Sequence, residues 1–128
     1  VSGGGWAAAA AAERMAAAAE EADVWAGWGS ESDARFIGLA VALEEGREYD
    51  LEAVAEACGA HPELVRAARG LPMRDQEDLL EVMDAELGEG ETVALALGED
   101  KMNPLPVMCL RRVPGGWLAG LMSSVVWT

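Results

Sequence analysis

The chain changes texture near Gly88–Gly90. Upstream, apolar residues recur at helical spacing; downstream, three β-rich runs are separated by turn chemistry. That division predicts an α+β fold with segregated elements: about five N-terminal helices packed on a C-terminal three-stranded antiparallel β-meander. It specifies an architecture without specifying a reaction.

The upstream part divides further. Trp6 to Val24 is an alanine-rich segment, and alanine has the best intrinsic helix propensity, so a helix is expected over 6–24. Its small side chains permit close approach to another helix, within the domain or in a dimer. Trp25-Ala26-Gly27-Trp28-Gly29 then reads as an aromatic, glycine-rich loop. Ser30 to Asp33 forms a capping-box pattern for a second helix, with Phe36, Ile37, Ala40, Val41 and Leu43 as its apolar face and Gly46 as its stop. Asp50 is placed to cap a third, carrying Leu51, Val54, Ala55 and Cys58 and closed by Gly59. Pro62 suits the first turn of a fourth, running to Gly70. Asp75 opens a fifth, with Leu79, Leu80, Val82, Met83 and Leu87 as the buried stripe.

The meander comprises Thr92–Leu97, Leu105–Val113 and Trp117–Trp127, with Pro114-Gly115-Gly116 as a tight hairpin connection. The last run is apolar on both alternating sets, and a sheet apolar on both faces needs two covers. The helices supply one. A ligand cavity, the alanine-rich helix or another subunit could supply the second.

At 128 residues and 52% apolar composition, one domain with its own core is expected over 1–128, with helices in 6–24 and 30–88 and sheet in 91–127. A formal charge of −14 repels phosphate backbones and anionic membrane surfaces and favours a basic protein partner or simple solubility. Cys58 and Cys109 form no CxxC pattern and read as buried thiols of a reducing cytoplasm. The opening Val-Ser-Gly-Gly-Gly has no basic region before an apolar run, so no signal peptide is expected, and no stretch reads as a membrane span.

Three stretches, Gly90-Glu-Thr-Val-Ala-Leu-Ala-Leu97, Pro106-Val-Met-Cys-Leu-Arg-Arg-Val113 and Gly115-Gly-Trp-Leu-Ala-Gly-Leu121, resemble the closing strands of NTF2-like (SnoaL-type) domains. The resemblance implies a cone-shaped pocket, here roofed by Trp117, Leu121 and the helices, and often a dimer. The sequence departs from that family in showing no separate strand between the helices and the meander. It also offers no match to the family's catalytic pairs. A second stretch, Leu51 to Gly70, is similar to a helix-turn-helix, with small Ala55 and turn residue Gly59 where two helices nearly touch. That resemblance would put Arg66 and Arg69 on a recognition helix, but Glu63 beside them and the charge of the whole chain oppose nucleic acid.

For catalysis the chain is poor. His61 is its only histidine and sits before Pro62 as a helix cap, and no metal-ligand or cofactor spacing is present. No catalytic, metal or cofactor residue is assigned. The leading reading is a non-catalytic acidic interaction module acting by protein–protein contact, with Trp25 and Trp28 as aromatic anchors and Glu77, Glu81 and Asp84 as a charged face. A ligand-binding or cyclase-like pocket and a helix-turn-helix regulator are the alternatives. A homodimer is compatible with the first and second.

Overall fold

A computed structural model describes residues 3–25, 35–43, 50–88, 90–98, 105–113 and 116–125, without the side chains of residues 3–5, 74 and 75. Among these residues the chain forms four α-helices and five strands. Helix α1 is Gly3–Glu21, followed by strand β1 at Ile37–Ala42, α2 at Leu51–Ala57 and α3 at Pro62–Arg66. Strand β2 is the dipeptide Arg69–Gly70, and a 3-10 turn at Met73–Gln76 leads into α4 at Glu77–Leu87. Strands β3 (Thr92–Ala96), β4 (Leu105–Val113) and β5 (Trp117–Val125) complete the chain.

The strands form one antiparallel sheet in the order β1-β5-β4-β3-β2. The α+β class holds, but a three-stranded meander under five helices does not. The expected helix over Phe36–Leu43 is strand β1. Phe36, Ile37, Ala40, Val41 and Leu43 fit a helical face, but Ile37, Leu39 and Val41 also alternate, and β-branched residues favour the pleat. Gly38 settles the contest, because a Cβ there would come within 2.8 Å of the Ala12 carbonyl carbon and oxygen of α1. The fourth helix likewise stops at Arg66, and Arg69–Gly70 pairs with Leu95 and Ala96. Two strands therefore lie between the first helix and the meander. The capping box at Ser30–Asp33, Gly46 and Pro114-Gly115 lie outside the described residues.

The sheet is covered on both faces by helices. On one face Ala94, Ala96, Val107, Cys109, Ala119 and Leu121 pack under Ala8, Ala12, Met15 and Ala19 of α1 and Leu79 and Met83 of α4. On the other, Leu95, Leu97, Met108, Leu110 and Leu118 pack under Ala53, Val54 and Ala55 of α2 and Val65 of α3. The alanine-rich helix is thus one of the two covers the sheet requires, and its small residues bring it close to strands as well as to α4.

The caps follow from local chemistry. Asp50 accepts from the Ala53 N–H at 2.8 Å and starts α2; His61 Nδ1 accepts from the Glu63 N–H at 3.3 Å and starts α3, with Pro62 in the first turn. Helix α1 ends in a Schellman turn, in which the Val24 N–H donates to Ala19 O and the Asp23 N–H to Glu20 O. Asp23 there takes φ +58°, a position that usually goes to glycine.

Candidate interaction groove

Helices α1 and α4 lie side by side on the same sheet face, and an open groove of about 630 Å³ runs between their outer surfaces. Arg14, Ala18, Glu21, Ala22 and Val24 line one wall; Asp78, Glu81, Val82, Ala85 and Glu86 line the other. The helical repeat produces this arrangement. Residues 14, 18 and 22 recur every four along α1, as do 78, 82 and 86 along α4, so each set forms one stripe. Alanine at 18, 22 and 85 leaves the space that larger side chains would fill.

The groove is acidic at its rim. Of its charged residues, Arg14 pairs with Glu86, which leaves Glu21, Asp78 and Glu81 without a basic residue among those lining the groove. Asp78 sits in the first turn of α4, where the helix dipole favours a carboxylate. Glu21 stands at the opposite kind of position. It closes α1 beside Glu20 with no basic residue in the last turn, where the dipole disfavours negative charge. Its carboxylate therefore adds nothing to the stability of its own helix.

The far flank of α4 uses its acid differently. Asp84 Oδ1 lies 2.5 Å from Arg111 Nη2, an ion pair made off the N–H axis. Arg111 is only 2% exposed; its Nε donates to Thr92 Oγ1 and its Nη1 to the carbonyl of Gly88, both at 2.6 Å. A cation is thereby held beneath the C-terminal end of α4, where the dipole favours positive charge, and it ties that end to the start of β3. Sequence reading missed Arg111. Its signal is a charge at an inward position of β4, on the set of Val107 and Cys109, whereas neighbouring Arg112 points to the other face.

The acidic face expected from Glu77, Glu81 and Asp84 is thus divided. Glu81 lines the groove, Asp84 holds Arg111, and Glu77 is exposed at the start of α4 without lining the groove. Trp25 follows groove residue Val24, but its indole is half-buried and engaged. Nε1 donates to Asp23 Oδ1 at 2.9 Å, and the Arg35 guanidinium lies 3.6 Å from the ring centroid while pairing with the same carboxylate at 3.2 Å. Trp28 lies outside the described residues.

The other sequence-derived candidates are dispersed. Leu121 has no exposed surface and packs in the core beneath α1 and α4, with Trp117 half-buried against the same cluster. Arg66 ends the five-residue α3 and Arg69 begins β2, so the two do not share one helix. Cys58 and Cys109 are free and belong to opposite sheet faces. Burial pushes their thiols up to about 11 and about 12, so neither is poised as a nucleophile at neutral pH. Among the described residues no three His, Cys, Asp or Glu side chains converge as a metal site, and no helix is long and apolar enough to cross a membrane.

Against known proteins, no family model matches the chain and no curated protein sequence matches it.

Proposed function

We propose that this chain is a non-catalytic interaction module whose α1–α4 groove seats a basic, amphipathic segment of a protein partner. The observation that carries the reading is that apolar and unneutralised acidic side chains line the same groove. Ala18, Ala22, Val24, Val82 and Ala85 supply apolar surface in the groove, and the carboxylates of Glu21, Asp78 and Glu81 line it beside them. A helix or extended segment with apolar residues on one side and Lys or Arg on the other matches both. The −14 charge of the chain raises the encounter rate with such a partner and makes binding sensitive to salt. Trp25 acts here by holding the end of α1 beside the groove, and Asp84 acts by fixing α4.

The test is a titration of the full chain with a synthetic peptide bearing leucines on one helical face and lysines on the other, beside a peptide with glutamates replacing the lysines. Saturable, salt-sensitive binding of the lysine peptide alone is expected, and it should be lost in a Glu21→Lys, Glu81→Lys double variant. Equal binding of both peptides, or an unaffected double variant, contradicts the reading.

A further inference from the structure

The C-terminal end of α1 already holds a guanidinium. Asp23 Oδ1 accepts from the Trp25 indole Nε1 at 2.9 Å and from Arg35 Nη1 at 3.2 Å. The Arg35 guanidinium lies 3.6 Å from the Trp25 ring centroid. A planar cation suits this pair, because it can stack on an indole and donate to a carboxylate at once. Val24, between the two residues that bind the guanidinium, lines the α1–α4 groove. An arginine site thus adjoins the groove, and its ligand in the free chain comes from the chain itself.

The two halves of this site are held with different firmness. Indole and carboxylate are joined to each other by a bond that does not involve Arg35. The backbone beneath them is set by the Schellman turn, in which the Val24 N–H donates to Ala19 O at 2.8 Å and the Asp23 N–H to Glu20 O at 3.1 Å. The guanidinium is held more loosely. Its 3.2 Å bond is longer than the roughly 2.7–2.9 Å of a charge-assisted pair, and the side chains of Arg35 and Asp23 are 39% and 74% exposed. An exposed ion pair and an exposed cation–π contact each shift an equilibrium by about fivefold or less. A second guanidinium can therefore take the place of the first at small cost, with the charge of the site unchanged.

We infer that Trp25 and Asp23 form an arginine-binding site at the end of the groove, which Arg35 fills in the free chain and yields to an arginine of the bound partner. Given that the groove seats a basic segment, as proposed above, that segment carries an arginine where it passes the C-terminal end of α1. Lysine does not serve equally, since a compact ammonium lacks the plane that stacks on the ring. Arg35 is then an internal competitor: it lowers the affinity for arginine and limits how strongly the groove prefers arginine to lysine.

The test compares the leucine–lysine peptide with the same peptide carrying arginines in place of the lysines. Both are titrated into the full wild-type chain, Arg35→Gln and Trp25→Leu. The readout is the ratio of the two dissociation constants, because the loss of a positive charge in Arg35→Gln favours both peptides alike. The arginine peptide should bind the wild type about threefold tighter than the lysine peptide. That ratio should widen in Arg35→Gln and vanish in Trp25→Leu. In the wild type, the Arg35 Nε–Hε resonance should lose its ring-current shift as arginine peptide is added and keep it with lysine peptide. If the two peptides bind both the wild type and Arg35→Gln with one affinity, the arginine site is overturned and the groove reading stands. An Arg35→Gln variant that weakens both peptides in equal proportion also overturns the site, since Arg35 would then be a structural tie alone. Binding of neither peptide contradicts the groove reading itself, and the arginine site falls with it. Should Trp25→Leu unfold by circular dichroism, the Arg35→Gln ratio and the Arg35 resonance decide.

Discussion

The two flanks of α4 both carry acid, and they use it in opposite ways. Toward β3 and β4, Asp84 is committed to the buried guanidinium of Arg111, which also holds the Gly88 carbonyl and the Thr92 hydroxyl. Toward α1, Asp78 and Glu81 stand at the rim of a groove whose one cation among the described residues, Arg14, is paired with Glu86. One flank is a clamp, and the other is an unneutralised surface. Net charge does not distinguish them; the position of one arginine does. The charge left over toward α1 is that which the fold does not consume.

Removing the clamp is the most severe way to break this comparison. Arg111→Met should cost about 3 kcal/mol by chemical denaturation, since it removes two charge-assisted hydrogen bonds, to the Gly88 carbonyl and the Thr92 hydroxyl, and leaves Asp84 without its cation. A loss within about 0.5 kcal/mol, the range of an ordinary surface change, would mean that the buried arginine holds nothing. Gly38→Ala tests the other wall. Its Cβ would meet the Ala12 carbonyl, so α1 must lift, and a loss of about 2 kcal/mol is expected together with weaker peptide binding at the groove. Unchanged stability would show that α1 is not pressed against β1.

The smallest effect has the opposite sign. Glu21→Lys puts a cation at the negative end of α1 and should raise stability by about 0.5 kcal/mol while weakening a basic ligand. A clear loss of stability instead would show that Glu21 is consumed by the fold, as Asp84 is.

Much of this arrangement is legible in the sequence, and the failures have identifiable causes. The alanine-rich helix, the caps at Asp50 and His61, the apolar stripe of α4 and the final three strands are local features, each fixed by propensity, capping or alternation within a few residues. Strand β1 is not local. Phe36–Leu43 satisfies both helical and alternating spacing, and the choice depends on β5 and on the close passage of Ala12 over Gly38. Strand β2 is too short to carry a period at all. The groove escaped for a related reason: alanines at 18, 22 and 85 show a helix in sequence, but only the packing of α1 beside α4 makes them line a groove. Arg111 has no counterpart in the sequence pattern, because its partners Asp84, Gly88 and Thr92 meet it only when the end of α4 lies over β4. Trp25 looks exposed in a glycine-rich loop, yet Asp23 and Arg35 engage it.

The central claim is that the uncommitted flank of α4, facing α1, binds a basic amphipathic segment. Amide chemical shifts of the labelled full chain, followed during titration with the leucine–lysine peptide, test it most directly. Saturable shifts confined to Arg14–Val24 and Asp78–Glu86, absent in the Glu21→Lys, Glu81→Lys variant, are the result the account requires. Shifts elsewhere, or none at saturating peptide, would contradict it.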